Sequence, residues 1–233
     1  MYKDAGFNFP ISHSGQFTMT TISIKSAFEG MGTAENGFHS ASFEKFCNSL
    51  DGFRARVQAQ YAGAIYPDGE KSGQPFNPNE DPGVNKYSAD VMVPAFLSTY
   101  AGTDGLSIFP ALTKILPNWR VRYNGLSNMT FFQNIFKSVN LNHAYRSVYA
   151  VGSYRSFLSF CSIMGERLGY IMDGTSGTDV PVLNSNYDVS QVSINEAFYP
   201  LLGVDVTMRN NMSFHLEYRT TRVLTLSMAS VML

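Results

Sequence analysis

The strict alternation of apolar and polar residues near the C-terminus constrains this chain more than any other feature. Apolar side chains occupy every second position on both sides of a short interruption, at Leu202, Val204, Val206, Met208, Met212, Phe214, Leu216 and Tyr218. Because successive side chains of a β-strand point to opposite faces, this period of two predicts two strands, each with one apolar and one polar face. The interruption is Asn210-Asn211, and asparagine tolerates the positive φ of tight turns, so the two strands should form a hairpin.

Other segments of the second half alternate in the same way. Residues 119–123 alternate apolar side chains with two arginines. Residues 139–151 keep mostly apolar side chains on one face and residues such as Asn142 and Arg146 on the other. The fold class that we predict is mainly β, with antiparallel strands through residues 89–233.

The first 88 residues have a different character. Residues 1–66 contain an alternating, β-branched stretch typical of a strand. Between Ser42 and Gln60, apolar residues recur at spacings of three and four, which predicts an amphipathic helix. The run 67–88 holds four prolines and three glycines among polar residues, which predicts an exposed loop. The chain is therefore expected to comprise a strand plus a helical segment, a loop, and a long antiparallel β segment.

The composition narrows the class of protein. Charged residues make up 15% of the chain and the net charge is −1, whereas an average soluble domain has about 25% charged residues. Without a basic excess, the chain is not expected to bind nucleic acid. No run approaches the roughly 18 consecutive apolar residues that a membrane-spanning helix requires, so the membrane class that stays open is the β-barrel.

Three properties of the alternating segments favour a bilayer over water. The runs reach about ten residues, near the 9–11 that a tilted strand needs to cross the hydrocarbon, whereas soluble strands average about 5–6. Tyrosine and phenylalanine recur near strand ends, as they do in interfacial girdles. The polar faces are rich in asparagine, serine, threonine and arginine, which suits a hydrated lumen. A half-buried sheet in a soluble protein is the alternative.

The alternation assigns candidate residues to the two faces of such a barrel. The residues expected to face lipid are Val121, Tyr123, Leu141, Val206, Phe214 and Leu216. The residues expected to face the water of the lumen are Arg122, Asn142, Arg146, Asp205, Arg209 and Glu217. For any one of the polar residues, a solvated strand face with no specific role is the alternative.

The sequence supplies too few strands for a complete barrel. We count about five to seven, whereas closed outer-membrane barrels begin at about eight. Because each unpaired backbone group at a strand edge costs several kcal/mol in lipid, further strands should come from elsewhere. The first residues, MYKDAGFNFP, lack the apolar core of a signal peptide. We therefore expect this chain to be a fragment of a longer protein.

The second half of the chain resembles one protein family. The segments that carry the likeness, in order, are VPAFLSTYAG, LPNWRVRYNGLS, FKSVNLNHAYRSVYAVGSY and QVSINEAFYPLLGVDVTMRNNMSFHLEYRTTRVLTLSMA. They resemble the C-terminal portion of the SprA/Sov family, the outer-membrane translocons of the type IX secretion system in Bacteroidota, which are also needed for gliding motility. The likeness covers roughly residues 89–233, and its specificity comes from the ordered series rather than from a single motif.

The resemblance implies a very large transmembrane β-barrel in the cell outer membrane, wide enough to pass folded protein cargo. It also implies a set of partners. These are the remainder of the barrel chain, a PorV-like barrel at a lateral opening, a periplasmic plug protein, the secreted cargo and outer-membrane lipid. Residues 29–88 match the family poorly, and the resemblance assigns no gate residue.

The sequence contains no catalytic or metal-binding pattern. Its histidines, His13, His39, His143 and His215, lack the spacing of metal ligands, and its two cysteines lie far apart. There is no P-loop, no G-x-G-x-x-G and no G-x-S-x-G motif. We therefore expect no enzyme activity, no metal and no cofactor. The alternative to a channel segment is a stand-alone soluble β-rich binding protein, which would be a monomer in buffer without detergent.

Overall fold

The computed structural model describes residues 13–29, 32–37, 39–67, 71–77, 83–111, 117–157, 160–164, 168–173 and 180–228. Within them the protein is mainly β, with antiparallel sheets and few helices, as the alternation predicts. The strands are β1 (Ser14–Thr20), β2 (Trp119–Tyr123), β3 (Phe136–Ser156), β4 (Phe160–Met164), β5 (Leu168–Asp173), β6 (Val180–Ser185), β7 (Tyr187–Met208) and β8 (Ser213–Ser227). The α-helices are α1 (Ala41–Ala59), α2 (Ala89–Ala101) and α3 (Thr130–Gln133), and short 3₁₀ helices lie at Ile24–Ser26, Ala34–Asn36 and Gly125–Asn128.

The two longest strands, β3 and β7, form the centre of the main sheet and pair antiparallel over nearly their whole lengths. β8 pairs with the other edge of β7, while β1 and β2 share the other edge of β3. The main sheet is open, because no strand in the described part of the chain pairs with the outer edge of β8. A second sheet contains β4, β5 and β6 in that order.

The hairpin predicted at Asn210-Asn211 is confirmed. Thr207 lies opposite Ser213, and the chain reverses between them. Asn211 has a φ of 65°, and the backbone N–H of Met212 donates to the side-chain oxygen of Asn210 at 3.0 Å. One asparagine therefore supplies the left-handed conformation, and the other supplies a local hydrogen bond to the turn.

Helix α1 confirms the helix predicted between Ser42 and Gln60. The hydroxyl of Ser40 accepts a hydrogen bond from the backbone N–H of Phe43 at 3.3 Å and so caps the first turn. The buried residues recur at spacings of three and four and are Phe46, Leu50, Phe53 and Val57. Phe43 begins the same spacing but is exposed, so the buried stripe starts one turn later than predicted.

Residues 89–101 are helical, so the prediction of β-structure from residue 89 onward is wrong for this stretch. Nine of the 13 residues of α2 are buried and the other four are half-buried, and Val91, Val93 and Ala95 have no exposed surface. A helix that is buried on all sides has no amphipathic period, which leaves only a short apolar run around Pro94 as a sequence signal. The helix ends at Gly102, whose φ of 68° is the left-handed conformation common at helix ends.

Helices α1 and α2 and the second sheet bury one half of the main sheet's apolar side. Tyr149 of β3 and Val192 and Ile194 of β7 have no exposed surface. The helices meet through Phe46 and Phe96, whose rings pack edge to face with centroids 6.4 Å apart. Burial of each such large apolar side chain contributes roughly 1.5–3 kcal/mol, so this half of the molecule holds the hydrophobic core.

Tyr61 joins the segment after α1 to the second sheet. Its buried hydroxyl donates to the carbonyl oxygen of Gly169 at 3.0 Å, and the N–H of Gly169 donates back to the hydroxyl at 3.3 Å. Burial raises the pKa of Tyr61, so the hydroxyl keeps its proton at neutral pH. A Cβ at Gly169 would lie 2.2 Å from the carbonyl oxygen of Cys161, so β5 requires glycine at this position.

We expect Tyr61→Phe to lower the free energy of unfolding by about 1–3 kcal/mol, because both backbone groups of Gly169 lose a buried partner. The control is Tyr87→Phe, which removes a hydroxyl from a side chain that is 68% exposed and should change the free energy by less than about 0.5 kcal/mol. Denaturant titration of the two variants measures the difference. Equal effects would contradict the role of Tyr61.

The predicted loop 67–88 contains no helix and no strand among its described residues. An isolated β-bridge joins Pro75 in this loop to Ile65. In the described ranges, no helix combines the length and the hydropathy that are needed to cross a bilayer.

Candidate functional site

The apolar side of the main sheet is exposed in the half that lies next to the β7–β8 turn. We call this surface the uncovered apolar face; it consists of Val121, Tyr123, Leu141, Leu202, Val204, Val206, Phe214, Leu216 and Tyr218. The exposed fractions of its large side chains run from 50% for Tyr123 to 72% for Leu216. Three members on the central strands, Leu141, Val204 and Val206, are half-buried by their neighbours.

The strand register places these residues side by side. One row across β2, β3, β7 and β8 consists of Tyr123, Leu141, Val204 and Leu216. The next row toward the turn pairs Val206 with Phe214, and Val121 lies one row farther from the turn. All the residues predicted to face lipid therefore lie on this one face of the sheet, and their contact with lipid stays a prediction.

The opposite side of the same half carries connected polar side chains. We call this set the polar ladder; it consists of Arg122, Asn142, Asp205, His215, Glu217 and Arg219. Arg122 donates to the side-chain oxygen of Asn142 at 3.1 Å. The side-chain amide of Asn142 donates to Asp205 at 2.7 Å. These bonds connect β2, β3 and β7 on the side of the sheet away from the apolar residues.

His215 carries the polar ladder onto β8. Its Nδ1 lies 2.5 Å from an oxygen of Asp205, and its Nε2 lies 3.4 Å from an oxygen of Glu217. Arg219 donates to the same oxygen of Glu217 at 2.6 Å. Exposed ion pairs of this kind contribute only about 0–1 kcal/mol each. The polar ladder is therefore a hydrated surface with charges of both signs rather than a main source of stability.

The structure brings together most of the residues that the alternation predicts to face water. Those in the polar ladder are Arg122, Asn142, Asp205 and Glu217. Arg146 is exposed on the same side of β3 but lies beyond the ladder. Arg209 lies in the turn after β7, where its Nε donates to the carbonyl oxygen of Gln133 at 2.8 Å. The alternation placed His215 and Arg219 on the polar side of β8, where both contact Glu217 on the same strand. The contact of His215 with Asp205 on β7 emerges only from the register.

A buried charged cluster lies on the apolar side of the sheet, where the alternation calls for apolar residues. The side chain of Glu196 is 1% exposed. It accepts hydrogen bonds from the hydroxyls of Tyr145 at 2.6 Å and Ser23 at 2.8 Å, and from Nε of Arg222 at 2.5 Å. Glu196 and Arg222 lie opposite each other on β7 and β8. Two opposite charges at apolar positions of neighbouring strands were the available sequence signal for this pair.

Arg222 also binds the segment that follows β1. We call residues 21–28 the strap. Arg222 donates to the carbonyl oxygens of Ser23 at 2.7 Å and Ser26 at 2.5 Å, and the backbone N–H of Ser23 donates to the hydroxyl of Tyr145 at 2.8 Å. These bonds hold the strap across the apolar side of the sheet. They also replace the hydrogen bonds to water that the two buried charges lose. Without such replacement, burial would cost several kcal/mol for each ion.

A cavity of about 340 Å³ lies between the C-terminal end of α2 and the main sheet. Its wall includes Met19, Leu97, Pro110 and Tyr149, with Asp104 and Thr21 as polar members. Small-molecule sites have volumes of about 300–1,000 Å³ and mostly apolar walls, so this cavity is near the lower limit for such a site.

The described residues contain no group of three histidine, cysteine, aspartate or glutamate side chains that could hold a metal ion. Cys47 and Cys161 form no disulfide with each other. No protein-family model matches the chain, and a comparison with curated proteins finds no match.

Proposed function

We propose that this chain is a segment of an outer-membrane protein-conducting channel, a translocon of the SprA/Sov kind that serves type IX secretion and gliding motility. The observation that carries the proposal is that the uncovered apolar face lies directly behind the polar ladder. In a very large transmembrane β-barrel, strands of this kind turn the apolar side to lipid and the polar side to a hydrated lumen.

The dimensions of this half of the sheet support the proposal. Residues 136–144 of β3 and 200–208 of β7 are stretches of about nine residues, close to the 9–11 that cross a bilayer at a tilt. Soluble monomers rarely leave a large contiguous apolar surface in water. In lipid, by contrast, exposed side chains such as Phe214 and Leu216 remain in an apolar solvent. The open edge of β8 is where the remainder of the barrel chain would pair, since an unpaired edge is costly in hydrocarbon.

Transport through such a lumen is passive and needs no catalytic residue, metal or cofactor, with energy supplied elsewhere. The polar ladder would line the path of the secreted protein cargo. Because it presents both signs of charge, it would hydrate the wall without holding a cargo of either charge strongly. A PorV-like barrel and a periplasmic plug protein are the partners that follow from the resemblance.

Fractionation of source cells tests this function. An immunoblot with an antibody to residues 70–86 should reveal a band far above 25.8 kDa in the outer-membrane fraction. A second antibody, raised against residues 213–228, should detect the same band and control for cross-reaction. A soluble band at 25.8 kDa with both antibodies would overturn the proposal.

The cavity beside α2 favours a second candidate, a stand-alone soluble β-rich binding protein that takes a small apolar ligand. This candidate places the main sheet in water and assigns no role to the uncovered apolar face. The two candidate functions predict different behaviour in buffer without detergent. Only the soluble protein should elute from a sizing column as a monodisperse monomer under these conditions.

A further inference from the structure

Residues that pair across β3, β7 and β8 form rows on the apolar side of the main sheet, and the burial and chemistry of these rows change along the strands. From the covered end toward the β7–β8 turn, three successive rows join Tyr149, Ile194 and Leu224; then Ser147, Glu196 and Arg222; then Tyr145, Phe198 and Thr220. After an irregular step in β7 come the pair Leu202 and Tyr218 and then the row Leu141, Val204 and Leu216. The first of these rows is a buried apolar core, the second is the buried charged cluster, and the last belongs to the uncovered apolar face. The row between the charged cluster and the exposed apolar residues is aromatic.

The aromatic row consists of Trp119, Tyr145 and Phe198. Trp119 lies opposite Tyr145 in the register, and the two rings stack with centroids 4.4 Å apart. The ring of Tyr145 is 4.9 Å from that of Phe198. Phe28, at the end of the strap, packs on Phe198 at 5.6 Å and is 64% exposed. The strap therefore ends in an exposed aromatic ring at the level of this row.

A second aromatic group lies at the other end of the uncovered apolar face. Phe131, Phe132 and Phe136 are in contact, with centroid distances of 5.4 Å and 5.8 Å between successive rings. Phe131 is 75% exposed and the nearby Met129 is 53% exposed. The exposed apolar rows are thus bounded by aromatic side chains on both sides, as the apolar bands of transmembrane barrels are.

The separation of the two aromatic groups matches a thin bilayer. From Thr220, beside the aromatic row, to Met212 just before β8, the chain rises about 27 Å at roughly 3.4 Å per residue. A strand tilt of about 40° reduces this rise to roughly 20 Å, near the 25 Å height of an outer-membrane apolar band. The charged cluster lies one row, about 7 Å along the strand, beyond the aromatic row. It would then lie just outside the hydrocarbon.

We propose that the aromatic row lies at the membrane–water interface, in contact with phospholipid headgroups, and that the strap rests above those headgroups on the lipid-facing side of the sheet. This inference rests on the proposed function and adds the depth at which the sheet sits. The apolar side is continuous, so the covered half and the lipid-facing half point in the same direction. The strap lies over the charged cluster at the place where the sheet leaves the membrane and thereby shields Glu196 and Arg222 from lipid.

The emission of Trp119 tests the proposed depth, because it is the only tryptophan in the chain. The protein is reconstituted into phosphatidylcholine vesicles whose acyl chains carry bromine either near the headgroup or near the methyl end. We expect bromine near the headgroup to remove more of the Trp119 emission than bromine near the methyl end. The emission should also shift to shorter wavelength than in the denatured chain, as it does for interfacial tryptophan.

A matched variant controls for non-specific quenching. The double substitution Trp119→Phe with Leu216→Trp moves the tryptophan to the uncovered apolar face, and the deeper bromine should then remove more emission. If vesicles float with the protein but the deeper bromine quenches Trp119 more, or if neither bromine quenches it, the proposed depth is wrong while membrane insertion stands. If the protein does not float with the vesicles, this inference fails, and the fractionation of source cells decides separately whether the proposed function stands.

Discussion

Leu216→Arg should lower the free energy of unfolding by about 2–4 kcal/mol in phospholipid vesicles, because an arginine at the middle of a lipid-facing strand loses its hydration. The adjacent substitution His215→Arg should lower it by less than about 1 kcal/mol. His215 lies at the same depth on β8 but points to the opposite side, and it is bonded to Asp205. An arginine at this position places a cationic donor beside the carboxylate.

The pair of substitutions separates the two candidate functions. Both positions are exposed, since Leu216 is 72% accessible and the side chain of His215 is 62% accessible. On a sheet surrounded by water, both changes should therefore have small and similar effects. Denaturant titration in vesicles, followed by the fluorescence of Trp119, measures the difference. A difference below about 0.5 kcal/mol would contradict contact between Leu216 and lipid.

Arg222→Ala should lower the free energy of unfolding by about 3–5 kcal/mol, because it leaves a buried carboxylate without its cation. Glu196 would keep only the hydroxyls of Tyr145 and Ser23 as donors. The carbonyl oxygens of Ser23 and Ser26 would lose their bonds to the guanidinium. We expect the strap to detach from the sheet in this variant, which would expose residues 21–28 to proteolysis.

Arg155→Ala is the matched control for the buried pair. Arg155 also forms an ion pair across neighbouring strands, with Asp188 at 3.0 Å, but its side chain is 66% exposed. Its loss should cost about 0–1 kcal/mol. Limited proteolysis and denaturant titration of both variants test the difference. If Arg222→Ala unfolds at the same denaturant concentration as Arg155→Ala and is cleaved no faster, the charged cluster does not hold the strap.

The elements that could be predicted from the sequence are those in which apolar residues recur at a regular spacing along the chain. The alternation at every second residue predicted the β7–β8 hairpin, and the spacing of three and four predicted α1. Helix α2 was missed because a helix buried on all sides has no polar face and thus no period.

The candidate site also combines features that the sequence predicts with features that only the tertiary structure determines. The sequence determined which side of each strand Val206, Leu216, Asp205 and Glu217 occupy, because side-chain direction in a strand follows from backbone geometry alone. Only the tertiary structure decided which half of the apolar side is covered, because the strap, helices α1 and α2 and the second sheet pack on that half across long sequence separations. The same long-range packing brings Ser23 to Glu196 and Arg222 and makes a buried ion pair possible at two apolar positions. An alternating pattern determines the two faces of a sheet, but the contacts that cover each face depend on segments far away in the chain.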